Sequence, residues 1–203
     1  ADIINKLKKN TVPTKAVEYS IPEWLAETLE KELGPSWEKE MMALNEQAPT
    51  ILRVNTLKTT AKELISDLKV EGVDSFQIKN YPDAVQLDVK KNVFLTTAFK
   101  DGLFEDQDAS SQKIGHLLDV KEGMRVVDVC AGAGGKTLHL AALMKNKGQI
   151  IALDIYEWKL AELKRRAKRA GAHNIETRVI EDNKVIKRLH EKADRLLIDS
   201  PCS

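Results

Sequence analysis

From about residue 120 onward, short apolar segments alternate with longer segments of helical periodicity. The apolar segments have the composition of buried strands: RVVDVC, QIIALDI, NIETRVI and ADRLLIDS. Those between them are typical of helices: GGKTLHLAALMK, EWKLAELKRRAKRAG and a stretch around residues 183–191. Strands that are joined by helices form parallel sheets through right-handed crossovers. This part of the chain therefore predicts a Rossmann-like α/β core. Because doubly wound sheets usually have about five or more strands, the four strands suggest an apparently truncated core.

A different pattern precedes this core. The first ~50 residues are typical of helices, with IPEWLAETLEKELG as the clearest segment. A small α+β module follows, in which we expect the strand ILRVNT, the helix TTAKELISDLKVEG and the strands SFQIKN, AVQLDV and NVFLTT. QDASSQKIGHLLDV is predicted to be a connecting helix. The resulting division is a helical segment at 1–48, a small α+β module at 49–105 and the α/β core at 106–203.

Composition excludes few functions. The 203 residues carry a net charge of +1, so bulk charge does not indicate a nucleic-acid partner. No apolar run approaches the ~20 residues of a membrane helix, so we expect no membrane partner. The two cysteines, without an export signal, are expected to be reduced thiols in a cytoplasmic protein. The four histidines are scattered without metal-ligand spacing, and we predict no metal.

The glycine-rich segment DVCAGAGGKT, residues 128–137, lies between a predicted strand and a predicted helix. Gly132, Gly134 and Gly135 can adopt positive φ and let a ligand approach the backbone closely. The next strand ends at Asp154, 22 residues after Gly132. An acid at this spacing suits the two hydroxyl groups of a ribose. The pattern indicates a nucleoside-containing cofactor, and the alternative is an ordinary tight turn followed by a chance acid.

Two phosphate-binding patterns match this loop incompletely. A P-loop would need glycine where the chain has Cys130. The third glycine of the NAD pattern is replaced by Thr137. S-adenosyl-L-methionine (SAM) has no phosphate, and a glycine loop followed by an acid at a strand end suits its amino-acid and ribose parts.

The fourth predicted strand leads into DSPCS, residues 199–203. Ligands of open parallel sheets bind at the carboxyl ends of the strands, so we expect Asp199 and Cys202 beside the cofactor. An acid can hydrogen-bond a pyrimidine ring nitrogen, and a thiolate can attack an electron-poor ring or help to resolve a covalent adduct. Both groups suit methylation of cytosine C5, which becomes nucleophilic only after C6 is attacked. A structural cysteine after proline is the alternative.

Together, these motifs resemble the NOL1/NOP2/Sun family of RNA m5C methyltransferases. The resemblance rests on DVCAGAGGKT, ALDI, Asp182, DSPCS and the upstream segments PEWL, RVNT, YPDAV and DGLFEDQDASSQ, in the order and spacing of the family. Within the family, bacterial 16S rRNA methyltransferases of the RsmB type are the most similar. The chain departs from the family at Ala133, where proline is common, and at Tyr156 and Trp158, where polar residues are commoner.

The resemblance implies a role for each candidate residue. Asp154 should hold the ribose of SAM, Asp182 should lie near its adenine, and Asp199 should sit between cofactor and target base. Cys202 matches the cysteine that assists product release, whereas the nucleophile of the family is another cysteine on a following strand, which this sequence does not contain. The loop residues that should contact SAM are Cys130, Ala131, Gly132, Ala133, Gly134, Gly135 and Lys136.

The implied activity is SAM-dependent methylation of cytosine C5 in RNA, with ribosomal RNA as the expected partner. Two alternatives stay open: a SAM- and RNA-binding fragment that lacks the nucleophile, and a tRNA methyltransferase. Arg53 and Asn55 in RVNT either face RNA or belong to an ordinary half-buried strand. The basic run at 159–169 favours a solvated helix face over a phosphate contact.

Overall fold

The computed structural model describes residues 14–200, which divide into two compact units at the Ala48–Pro49 junction. The described part of the first unit is helical. Its helices are α1 (Lys15–Glu18), α2 (Glu23–Leu33) and α3 (Trp37–Asn45), with a 3₁₀ turn (Gly34–Ser36) before α3. They pack around a small core of Ala16, Tyr19, Ala26, Trp37 and Met41. The helix predicted over IPEWLAETLEKELG is confirmed.

The second unit begins with a four-stranded antiparallel sheet. Its strands are β1 (Ile51–Val54), β2 (Ser75–Gln77), β3 (Ala84–Leu87) and β4 (Phe104–Asp106), in the order β2-β3-β1-β4. Helix α4 (Ala61–Val70) buries Leu64 and Leu68 against this sheet. Thr60 starts the helix with a capping box, because its hydroxyl accepts from the Glu63 amide while the Glu63 carboxylate accepts from the Thr60 amide.

The strand that we predict over NVFLTT is wrong. This segment forms turns and leads into the short helix α5 (Thr97–Lys100). Thr96 caps that helix, since its hydroxyl accepts a hydrogen bond from the Phe99 amide. The fourth strand is instead β4, which pairs with β1 through Leu52–Asp106 and Val54–Phe104. A local cap thus prevails over the β propensity of the apolar residues.

Helix α6 (Ala109–Leu117) connects the two sheets. The second sheet is parallel and has the order β7-β6-β5-β8. Its elements, in chain order, are β5 (Arg125–Asp128), α7 (Gly135–Leu143), β6 (Gln149–Asp154), α8 (Glu157–Ala170), β7 (Ile175–Val179), α9 (Asn183–Lys187) and β8 (Arg195–Leu197). The predicted α/β core with four parallel strands behind a small α+β module is confirmed.

The parallel sheet has apolar side chains on both faces. Helices α7 and α8 cover one face, where Leu138, Leu140 and Leu163 pack with Ile150 of β6. On the other face Val127, Ile151 and Leu153 pack with Leu189. This arrangement brings the carboxyl ends of β5, β6 and β8 to one edge. No helix within residues 14–200 combines the length and the apolar character that crossing a bilayer requires.

Candidate cofactor site

A cavity of about 300 Å³ opens at the carboxyl ends of β5 and β8. Its walls come from the glycine loop, the start of α7, the end of β8 and the beginning of α6. Polar and apolar groups contribute about equally to the lining, which consists of Gln107, Ser111, Asp128, Cys130, Ala131, Gly132, Gly135, Lys136 and Asp199. Five of the seven predicted loop residues line it, together with Asp199. It lies where ligands of open parallel sheets bind.

The glycine loop turns sharply between β5 and α7. Gly132 has φ +54° and Gly134 has φ +88°, a left-handed conformation that side chains rarely adopt. At Gly134 a side chain is also excluded by space, because a Cβ atom would lie 2.6 Å from Cγ of Leu163. The absence of a side chain therefore lets the loop pack directly on α8.

Asp154 fixes this loop from the neighbouring strand. One carboxylate oxygen, Oδ2, accepts a 2.9 Å hydrogen bond from the amide of Gly132. The other, Oδ1, accepts a 2.9 Å bond from the amide of Tyr156. The Asp154 side chain thus ties the loop after β5 to the loop after β6. Each oxygen retains a second lone pair that can accept from a ligand hydroxyl.

Asp128 ends β5 beneath the loop and is almost fully buried. Its Oδ2 accepts a 2.7 Å hydrogen bond from the hydroxyl of Thr137, whereas Oδ1 is buried and has no hydrogen-bond partner within residues 14–200. Burial raises the pKa of this carboxyl to about 6, opposed by the Thr137 hydrogen bond and assisted by the nearby charge of Asp199. A carboxyl group with one oxygen that receives no hydrogen bond from the described residues thus belongs to the cavity wall.

Lys136 and Asp199 form an ion pair across the cavity, with 2.5 Å between Nζ and Oδ2. The lysine side chain is mostly buried and that of Asp199 is half-exposed. Cys130 lines the same cavity as a free thiol. Burial raises the pKa of this thiol, and the carboxylates of Asp154 and Asp128 add to the effect, so the sulfur is protonated at neutral pH.

Besides Asp154, which contacts the loop from the end of β6, three predicted site residues lie outside the cavity lining. The Asp182 side chain caps α9 by accepting a 2.7 Å hydrogen bond from the amide of Lys184. Ala133 belongs to the loop, and its carbonyl accepts a 2.9 Å bond from Nη1 of Arg166. Gly134 also belongs to the loop and packs against Leu163 of α8. Cys202 lies outside the described residues.

Arg53 and Asn55 are both buried rather than exposed to a partner. Nη1 of Arg53 donates to Oε1 of Gln107 at 2.6 Å and to the carbonyl oxygen of Gly135 at the start of α7. The amide group of Asn55 donates to the carbonyls of Gly102 and Ala170. The interpretation in which these side chains face RNA is wrong, and so is that of a half-buried strand, because all four β1 residues are buried.

Asp128, Gln107 and Ser111 belong to the site but are missing from the predicted residues. A signal for Asp128 was available, because it is the last strand residue before a glycine loop at the carboxyl edge. Gln107 and Ser111 lie in the QDASSQ segment, whose acids could equally be helix caps. Asp108 does cap α6, since its carboxylate accepts from the amides of Ser110 and Ser111.

A second polar cluster combines side chains from α6, from α7, which follows the glycine loop (the cofactor loop), and from the residue before β3. His116 and His139, which are 23 residues apart, both meet the carboxylate of Asp83. Burial lowers the pKa of His139 to about 4, partly opposed by its hydrogen bond to Asp83. Sequence spacing contains no signal for this cluster, because its members come from three separate elements.

Two family models match the chain. The model described as "16S rRNA methyltransferase RsmB/F" matches residues 115–203. The model described as "Methyltr_RsmF/B-like, ferredoxin-like domain" matches residues 21–94. The two matches follow each other in one chain and together account for most of its length.

Curated relatives and solved structures agree with these models. The probable ribosomal RNA small subunit methyltransferase B of Bacillus subtilis is 34% identical over 190 residues, which are 93% of this chain and 42% of that protein. The crystal structure of PH0851 superposes with a TM-score of 0.86 at 32% identity, over 99% of this chain and 47% of that one. A methyltransferase homolog from Pyrococcus horikoshii superposes with a TM-score of 0.81 at 29% identity, over 93% and 62%.

The chain thus spans less than half the length of the curated relative described above. Within that span, both family models and the curated relative lead to one assignment, and the structural neighbours share the fold. The chain belongs to the RsmB/F methyltransferases, the RsmB-type branch of the NOL1/NOP2/Sun family that its motifs resemble.

Proposed function

We propose that the cavity at the carboxyl ends of β5 and β8 binds SAM, and that the whole protein transfers a methyl group to cytosine C5 in 16S ribosomal RNA. SAM is the cofactor of this methyltransferase family. The observation that carries the proposal is the unpartnered Oδ1 of Asp128 beside a glycine loop and a strand-end acid. A buried carboxylate oxygen without a donor is costly unless a ligand supplies one.

The residues fit the polar parts of SAM. Asp128 Oδ1 would accept from the cofactor's ammonium group, which supplies the missing positive charge. Backbone amides of the loop and of the first turn of α7 would receive its carboxylate, as helix N-termini do for anions. Asp154 would accept from the ribose hydroxyls through its free lone pairs. Asp182, at the start of α9, is proposed to lie near the adenine. When bound, SAM supplies an electrophilic methyl group.

Asp199 and Lys136 are proposed to act on the target base. Asp199 lines the cavity beside the loop, and an acid there can hydrogen-bond the ring nitrogen of a cytosine placed over the cavity. Its ion pair with Lys136 holds the side chain in position. We propose for Cys202 the role in product release that the family implies, and assign attack at C6 to the family's other cysteine, as the resemblance also implies. The α+β module at 49–105 is proposed to bind RNA.

Calorimetric titration of the chain with SAM tests the cofactor site. Asp154→Asn should weaken SAM binding tenfold or more, because asparagine replaces one of the two accepting oxygens by an NH₂ group, which can only donate. Asp88→Asn is the matched control, since Asp88 is an exposed acid of the antiparallel sheet region. Equal affinity in the wild-type chain and in a folded Asp154→Asn variant would refute the proposed site.

Methyl transfer is tested with a protein of the length of the curated relatives. With labelled SAM, unmodified 16S rRNA should gain 5-methylcytosine at one position, located by mass spectrometry of RNA fragments. tRNA transcripts are the comparison substrate. Methylation of tRNA alone, or at a base other than cytosine, would overturn the proposed substrate without affecting the SAM site. Cys202→Ala should retain the RNA–protein adduct on a denaturing gel, because release is slowed.

A further inference from the structure

The carboxylate of Asp83 lies between two imidazoles. Asp83 and both histidines are absent from the lining of the cofactor cavity. Oδ2 of Asp83 is 2.8 Å from Nε2 of His116, near the end of α6, and 3.0 Å from Nε2 of His139, in the middle of α7. The three candidate ligand atoms all lie within 4.8 Å of one another. Three elements that are distant in sequence thus direct two nitrogens and one oxygen to a single point.

The nitrogen–oxygen separations in this cluster are slightly shorter than those between the ligand atoms of a bound metal ion. Zn²⁺ binds histidine nitrogen and carboxylate oxygen at about 2.0–2.2 Å in tetrahedral geometry, which separates neighbouring ligand atoms by about 3.3 Å. The observed separations from Asp83 Oδ2 are 2.8 and 3.0 Å. Retreat of each ring by roughly half an ångström would therefore admit an ion of this size. Two imidazoles and one carboxylate are also a ligand set that Zn²⁺ and similar late first-row ions accept.

The protein leaves room for the buried imidazole in the required orientation. His139 is enclosed, and Gly115 of α6 packs against its ring, where a Cβ atom would lie 2.6 Å from Nδ1. Glycine at this position lets α6 approach α7 closely enough for His116 and His139 to reach the same carboxylate. The rings themselves meet edge to face, with centroids 5.1 Å apart.

An independent observation points to a missing ligand at the same place. A cavity of about 130 Å³ adjoins the cluster and is lined by Asn80, Tyr81, Pro82, Asp83, Gln112, Lys113 and His116. Gln112 is 2% exposed, and its Nε2 donates to the carbonyl of Gln107, whereas its Oε1 is buried with no hydrogen-bond partner among the described residues. An amide oxygen can ligate a cation or accept from a water molecule bound to it. The Lys113 ammonium lies over the Tyr81 ring, 4.5 Å from its centroid.

We propose that Asp83, His116 and His139 form a binding site for a divalent cation of the zinc class, with Gln112 Oε1 or a water molecule as the fourth ligand. The ion would join the loop before β3 to α6 and α7, and so tie the antiparallel sheet to the helix that follows the cofactor loop. The ligands occupy three elements of the folded unit, so the site forms only in the native chain. This site is separate from the proposed SAM site and is tested separately.

Zinc binding is measured on the untagged chain after removal of metals with a chelator. Titration with Zn²⁺ should show one site and raise the melting temperature, because the ion binds only the folded state. Co²⁺ should bind at the same stoichiometry and show the visible absorption of a tetrahedral complex. His116→Ala should weaken zinc binding tenfold or more and abolish the Co²⁺ spectrum, and His116→Cys should restore a spectrum with thiolate character.

His190→Ala is the matched control, because His190 is an exposed histidine outside the cluster. Since His116 is partly exposed, its replacement is expected to leave the chain folded, which circular dichroism checks. Wild-type chain that is folded but binds no zinc would overturn the proposal. Equal affinity in wild type and His116→Ala would overturn it as well, since the ion would then be held elsewhere, for example by a cysteine thiol.

Discussion

Arg53 of β1 donates a hydrogen bond to the carbonyl oxygen of Gly135, the first residue of α7. A buried arginine of the antiparallel sheet thereby contacts the backbone that ends the cofactor loop. The same guanidinium binds Gln107, which lines the cofactor cavity. One side chain therefore links the small sheet both to the residue that ends the cofactor loop and to the lining of the cavity.

Arg53→Lys should lower the free energy of unfolding by about 2–4 kcal/mol, because one ammonium group cannot reproduce both hydrogen bonds of the buried guanidinium. SAM affinity should fall several-fold as Gly135 and Gln107 lose their common partner. Chemical denaturation and calorimetry measure the two effects. Arg165→Lys, on the exposed face of α8, should change stability by no more than about 0.5 kcal/mol. Similar stability of the two variants would contradict this prediction.

Gly134→Ala and Gly123→Ala separate backbone strain from steric exclusion. Both glycines have φ +88°, but a Cβ atom at Gly134 would meet Leu163 at 2.6 Å, whereas at Gly123 nothing lies within 4 Å. Gly123→Ala should cost about 1 kcal/mol of unfolding free energy through strain alone. Gly134→Ala should cost about 1–3 kcal/mol more, because Leu163 must move. Equal losses of unfolding free energy in the two variants, measured by urea denaturation, would contradict this prediction, since Leu163 would then move at no cost.

Asp128 should make stability depend on pH. The pKa of this carboxyl is about 6 in the folded chain, against an ordinary value of 3.8. The folded state therefore holds the proton more tightly, and the resulting stabilisation is complete below pH 4 and is lost as pH rises through 6. In Asp128→Asn this dependence is absent. The difference in unfolding free energy between the variant and the wild type should shift by about 3 kcal/mol in favour of the variant from pH 4 to pH 8.

A constant difference between the two proteins across that pH range would contradict the raised pKa. Thr137→Val is a useful comparison, because it removes the hydroxyl that donates to Asp128 while leaving the carboxyl group in place. Its pH dependence should be steeper than that of the wild type, since the charged form loses its one hydrogen bond from a side chain.

Glu105 of β4 should be essential for stability. It is buried and pairs with Arg166 and Arg169 of α8. Glu105→Gln should lower the free energy of unfolding by about 3–5 kcal/mol, because two largely buried guanidinium groups lose their counter-charge. Glu162→Gln, which affects only an ion pair with the exposed Arg165, should cost about 1 kcal/mol or less. Thermal denaturation of both variants checks the contrast, and a small effect at Glu105 would indicate that water replaces the pair.

The sequence predicted most where a pattern is local. Regular alternation after residue 120 identified four strands and their parallel pairing, and the glycine loop appears where expected. NVFLTT was misjudged because the Thr96 cap outweighs the strand propensity of its apolar residues. The fourth strand of the sheet is instead β4, which is too short for its apolar residues to predict a strand.

Contacts between distant elements were beyond the sequence. Arg53 reaches Gly135 across 82 residues, and Asp83 reaches His139 across 56. Neither separation has a periodicity or a motif that would reveal it. The alternation of apolar residues around Arg53 suggested one exposed face, yet the arginine is buried because carbonyl and amide oxygens inside the chain accept its hydrogen bonds.

The Asp154 carboxylate holds two loops together, because it accepts hydrogen bonds from the amides of Gly132 and Tyr156. Selection on this position therefore acts through folding, in addition to the proposed role of Asp154 in SAM binding. A descendant that no longer bound the cofactor would still need an acid there to keep its loops closed. A deep mutational scan scored only for the amount of folded protein should find position 154 nearly as intolerant as a scan scored for methyl transfer.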